Sequence, residues 1–323
     1  MFWQKSLPLE VKLRGIRMRR IAVLLFIASL ALGQSLKIQR QDLNMPNDTM
    51  AWAFPRFISQ DEELLLTTPN YRGLWRYSIE SNMIVELTDG EGAGYQPYML
   101  DENRLLFRLT LRNSPEKIAP LQYQIYELNL RDGALRPHSE KGRELQLISQ
   151  HAGYVIQNGK SAKYHLLANQ SEPWVLIDTK TDAIRIGRGG EIRKLQPKGE
   201  AHYLWASLSP ANDEILFTHA GKGTYLCDLN GAITDSLAYL NAPVWSADGR
   251  YILGMADEDD GHVITRSEIW LVERDGLHHH QLSDTPDIHE MYPVFSPAGN
   301  KVAFHTTEGK IGLMNLIWEG AEQ

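Results

Sequence analysis

Two histidines stand at matching places in this chain. His202 lies seven residues before Ser209 and His289 seven before Ser296, each ahead of a Ser-Pro-Ala turn, and Tyr239 holds the same place before Ser246. Imidazole nitrogens are common ligands of divalent metals, so two of them at one opening, with Glu200 or Glu290 beside them, can hold such an ion. The competing reading is plain polar lining of a water-filled channel. No third ligand is identifiable, because the corresponding segments of the two earlier copies carry Trp52 and Tyr95.

Other candidate chemistry is weaker. His278-His-His280 falls where a strand is expected, and alternation along a strand puts the middle ring on the opposite face. Asp257-Glu-Asp-Asp260-Gly-His262 has the charge of a calcium loop but not the alternating ligands and terminal Glu, and reads as a solvated hairpin tip. Cys227 is the sole cysteine, so no intrachain disulfide forms, and its apolar strand context suits a small buried residue. Trp75, Trp174, Trp205, Trp245 and Trp270 recur at comparable strand positions and read as packing residues, whereas Trp52 precedes its strand and can stack on a ligand. Gly187-Arg-Gly-Gly190 lacks the Lys-Ser/Thr of a phosphate loop.

A repeat must position these residues. Ala242-Pro-Val-Trp-Ser-Ala-Asp-Gly249 and Tyr292-Pro-Val-Phe-Ser-Pro-Ala-Gly299 each lead into a short apolar run, a polar loop and a further strand. Gly, Asp and Pro between apolar runs make hairpin turns, and Tyr251-Ile-Leu253 and Val302-Ala-Phe304 are too short for helices. Copies also open near Pro55 and Pro97, a fourth at Trp205, and a weak third lies between 153 and 178. From Pro55 to Pro293 is 238 residues, about 48 for each of five intervals, within the range of propeller blades. The expectation is an all-β, six-bladed propeller of four-stranded blades. The last copy shows only three strands, so residues 36–41 are expected to complete it and close the ring. Five blades with an insertion at 136–200 is the alternative.

The N-terminus reads as an export signal. Arg17, Arg19 and Arg20 precede twelve apolar or small residues, Ile21 to Leu32, with Ala31 and Gly33 suited to cleavage. Twelve residues span about 18 Å as a helix, against about 30 Å of bilayer core. Residues 1–33, with translation starting at Met1 or Met18, are expected to be removed, leaving 34–323 as one propeller domain, periplasmic or secreted and without a membrane span. The signal carries six basic residues (Lys5, Lys12, Arg14, Arg17, Arg19 and Arg20) against Glu10, and the whole chain −7, so the remainder is −12. That charge disfavours nucleic acid.

Pro243-Val-Trp-Ser-Ala-Asp-Gly-Arg250, Ser267-Glu-Ile-Trp-Leu-Val272 and Pro293-Val-Phe-Ser-Pro-Ala-Gly-Asn300 resemble the TolB-type propeller repeat, over roughly residues 50–316. The resemblance implies six four-stranded blades around a channel. Members of that group include partners in envelope complexes, propeller domains of serine peptidases and oligogalacturonate lyase-like enzymes. Two departures narrow the choice: about twenty residues lie between signal and first blade, too few for TolB's α/β domain, and no Gly-x-Ser-x-Gly elbow occurs. The lyase-like members use a His-rich metal site in the channel, which implies a divalent metal at His202 and His289. The expected function is a monomeric binding scaffold for an envelope or extracellular protein or a polysaccharide, with a metal-dependent carbohydrate-active enzyme as the alternative. Trp52, Tyr95, His202, Tyr239, His289 and Glu290 are the expected ligand-binding residues of the channel mouth, and no catalytic residue is identified.

Overall fold

A computed structural model describes residues 35–46, 49–59, 61–112, 121–148, 153–158, 161–166 and 171–319. The export-signal expectation therefore lies outside the described residues. By its contacts the chain divides into a main unit, Ile38–Leu316, and a smaller one made of Met1–Lys37 and Ile317–Gln323. No helix among the described residues is long and apolar enough to cross a membrane.

Every regular element described is a β-strand, and the strands form seven antiparallel sheets in a propeller arrangement. Blade 1 comprises residues 53–88, blade 2 98–137, blade 3 144–165, blade 4 174–195, blade 5 203–237 and blade 6 241–281. Blade 7 orders Ser35–Asp42, Ile311–Glu319, Lys301–Thr306 and Glu290–Phe295 side by side. The expected completion of the last blade by the N-terminal strand thus holds. The expected six blades do not: there are seven, because residues 144–195 hold two three-stranded sheets instead of one weak unit. Trp174–Asp178, assigned from the sequence to a third copy, opens a blade of its own. The 238 residues from Pro55 to Pro293 therefore cover six intervals, about 40 each.

The core lies between blades. Trp52, Leu64, Leu66 and Trp75 of the first blade meet Ala303, Ile311 and Leu313 of the last. Leu65 and Leu74 meet Leu105, Phe107 and Leu128 of blade 2, and the pattern continues through blades 3, 4, 5 and 6. Each sheet is thus apolar on both faces, and burial of these side chains stabilises the ring only when neighbours stack. At the seam, Arg40 pairs with buried Glu290 and covers the Phe304 ring at 5.2 Å.

The repeat's serine explains its turn. Ser246 Oγ accepts from Tyr251 N at 3.0 Å and donates to Asp248 at 2.6 Å; Ser209 and Ser296 accept from Glu214 N and Lys301 N in the same way. All three hydroxyls sit at buried positions, where an unpartnered backbone N–H would be costly. Blade 4 has no such serine turn. In blade 4, Gly189 and Gly190 take φ of 60° and 86°, a two-residue hairpin rather than a phosphate loop.

Candidate ligand site at the channel mouth

The innermost strands share a second device. In blades 1, 5, 6 and 7 the pairing of the first two strands slips by a bulge, at Ala53/Arg56, Leu204/Ser207, Asn241/Val244 and Met291/Val294. Phe54, Trp205, Ala242 and Tyr292 sit in those bulges with φ near +50°, and Gln96 has φ 51° just ahead of the first strand of blade 2. Side chains other than Asn and Asp rarely adopt this left-handed conformation, which costs about 1–3 kcal/mol each. Among the described residues ten non-glycine positions have positive φ. Four are the turn formers Asp61, Asn82, Asp182 and Asn212; the other six, Phe54, Tyr71, Gln96, Trp205, Ala242 and Tyr292, all line one cavity of about 330 Å³.

That cavity is aromatic. Phe54 stacks on Tyr71 at 4.6 Å and meets Tyr292 edge-on at 4.8 Å, and Tyr71 meets Tyr95 edge-on at 5.3 Å. Behind them, buried His305 lies parallel to Tyr292 at 5.6 Å, and its Nδ1 accepts the N–H of Phe54 at 3.3 Å. Burial pushes the His305 pKa down to about 4, so the ring is neutral at pH 7 and its Nδ1 can act as that acceptor. Burial, with Tyr292 and Tyr95 nearby, pushes the Tyr71 phenol up to about 12, leaving it a hydrogen-bond donor.

Arg56 is the one formally charged residue lining this cavity, and it forms no ion pair or side-chain hydrogen bond among the described residues. Burial lowers its pKa, but an arginine stays charged in proteins. A second, larger cavity of about 620 Å³ adjoins through shared Tyr95, Gln96 and Trp205 and is lined by blades 2, 3, 4 and 5. There Arg108 lies between the rings of Tyr95 and Tyr123, at 4.4 and 4.5 Å, and donates to Leu145 O at 3.2 Å.

The residues expected at the mouth divide accordingly. Tyr95 lines both cavities and His202 the larger one, where it bonds to Asp182 at 2.7 Å. Trp52 does not face a ligand: it is 2% exposed and packs edge-on against Trp75 at 5.2 Å, because the following bulge turns Phe54 to the cavity in its place. Tyr239 is exposed outside both cavities and accepts from Gly221 N. Glu290 is fully buried, held by Arg40 and by Thr285 at 2.6 Å. His289 is half-buried beside it and lines neither cavity. Trp205, grouped from the sequence with packing residues, is a cavity residue instead.

The metal expectation finds little support in this geometry. The sole group of three converging donors among the described residues is Glu273, Asp275 and His278, on an outer turn of blade 6, and it includes neither His202 nor His289. The Asp257–His262 segment is a hairpin tip whose Asp259 and Asp260 carboxylates accept backbone N–H groups of the tip itself. Cys227 is buried in blade 5, and burial raises its thiol to about 12, as befits a packing residue.

No family model and no curated protein matches this chain. Solved structures do resemble it in fold. A gluconolactonase from Xanthomonas campestris is 11% identical with TM-score 0.54, over 90% of this chain and 93% of that one. An oligogalacturonate lyase from Vibrio parahaemolyticus is 12% identical with TM-score 0.44, over 87% and 98%. An oligogalacturonate lyase in complex with manganese is 13% identical with TM-score 0.45, over 80% and 75%. At such identities the likeness is one of fold alone.

Proposed function

We propose that the protein is an exported, TolB-like propeller that works as a binding scaffold in the cell envelope, and that its ligand or partner docks in the aromatic cavity at the channel mouth. One observation carries this reading: among the described residues, all six left-handed positions that are not Gly, Asn or Asp line a single cavity. Strained backbone persists only where its surroundings over-determine it, and it gathers at ligand clamps. Packing alone does not call for the bulges, since blades 3 and 4 stack in the same ring without a positive-φ residue in their inner strands. The cavity's size and its aromatic walls with a few convergent polar groups are those of small-ligand sites. The basic and apolar N-terminal segment supports export, and the Ser-Ala-Asp-Gly and Ser-Pro-Ala-Gly turns support the TolB-type assignment.

A panel of aromatic fragments screened by ligand-observed NMR tests the site. Fragments that bind wild type should lose most of their signal with Tyr292→Ala and with Phe54→Ala, each checked for folding by circular dichroism. Hits indifferent to both substitutions would place the site elsewhere.

A further inference from the structure

The geometry points to an anion site at the mouth: Arg56, which lines one cavity with Tyr71, Tyr95 and Tyr292, receives the carboxylate or phosphate of a ligand whose planar apolar body lies against the cavity's aromatic walls. This inference rests on the mouth being the docking site and names the chemistry it accepts.

Three observations converge. Arg56 lines the cavity with no carboxylate among the described residues to neutralise it, although the chain as a whole carries net charge −7 and other arginines are paired, as Arg76 is with Glu63 and Arg185 with Asp178. No Asp or Glu lines this cavity at all. In addition, the hydroxyls of Tyr71, Tyr95 and Tyr292 make no hydrogen bond among the described residues, so three hydroxyls free to donate share the cavity with the cation, that of Tyr71 being its electrostatic neighbour. A half-buried guanidinium without a counter-ion is costly to keep, and a bidentate anion satisfies both its charge and its fork of N–H donors. Phe54, Trp205, Pro243 and Pro293 complete walls suited to a flat apolar body rather than to a strongly hydrated ion.

The test compares benzoate, phenyl phosphate and neutral benzamide by isothermal titration and ligand-observed NMR, on wild type, Arg56→Met, Arg56→Lys and Tyr292→Ala. The expected result is saturable binding of one or both anions, at least about tenfold tighter than benzamide, as a charged hydrogen bond provides. Which anion binds tighter separates a carboxylate ligand from a phosphate one. Arg56→Met should abolish the preference over benzamide, and Arg56→Lys should keep part of it, which distinguishes lost charge from lost folding. Equal binding of benzoate, phenyl phosphate and benzamide to wild type, with all three lost in Tyr292→Ala, would overturn the anion site and leave the mouth reading intact. Anion binding unchanged in Arg56→Met would also overturn it. No saturable binding of any of the three to wild type would count against both.

Discussion

Among single residues, His305 has the most direct consequence for solution behaviour. Its pKa in the fold, about 4, lies below the 6.5 of an exposed histidine, so between those values the unfolded chain binds a proton that the folded chain does not. Its contribution is therefore fully present above pH 6.5 and is lost as pH falls towards 4, by up to about 3 kcal/mol. Urea unfolding at pH 7 and pH 4.5 should show wild type losing about 2 kcal/mol more than His305→Gln over that interval. An equal loss in both proteins would mean that the ring is not held neutral. Single residues were also the hardest to read in advance. Tyr95 and the buried character of Cys227 were legible, the first from its place in the repeat and the second from its strand. Arg56 and Tyr71 were not, because an arginine inside an apolar run and a tyrosine beside Pro-Asn carry no periodic mark. The cavity residues of the late blades stand closer to the serine than His202, Tyr239 and His289 do. Trp205, Ala242 and Tyr292 each stand four before Ser209, Ser246 and Ser296, and that position in the repeat is the signal that finds them.

Individual elements were written more plainly. The Ser-x-x-Gly turns told where the first two strands of the late blades meet, since each serine caps its own hairpin. The bulge was half visible: Phe54, Gln96, Ala242 and Tyr292 each precede a proline, which restricts the backbone at that point but does not announce a left-handed one. Strain and capping predict opposite effects for two neighbouring substitutions. Ala242→Gly relieves a φ of 46° at the cost of one methyl and should leave stability unchanged or raised by up to about 1 kcal/mol. Ser246→Ala leaves the Tyr251 N–H without its hydroxyl partner and should cost about 1–2 kcal/mol. Thermal unfolding of the two variants beside wild type checks both signs. A loss on Ala242→Gly as large as that on Ser246→Ala would mean that the bulge is not strained.

Across the whole molecule, the sequence announced a closed β-propeller and miscounted its blades. Among the described residues blades 3 and 4 have three strands each, and their inner strands lack the X-Pro bulge; the pairing of Glu144–Ile148 with Gly153–Asn158, and of Trp174–Asp178 with Ala183–Arg188, is what separates them. Closure was foreseeable because an unpaired last sheet has to find a strand, and Ser35–Asp42 supplies it with Arg40 set against buried Glu290. The ring brings five inner-strand segments to one opening and so makes an aromatic cavity that no blade could form alone. The most direct test of that opening as the docking site is to block it. Gln96 is exposed at its rim, and buried Cys227 should stay unlabelled, so Gln96→Cys can be capped with a bulky maleimide and the labelling confirmed by mass. Glu80→Cys, in an exposed blade 1 turn outside the cavity, serves as the control. Capping at position 96 should abolish binding of the fragments that wild type binds, with the capped control unaffected. Undiminished binding to the protein capped at 96 would contradict the channel mouth as the site.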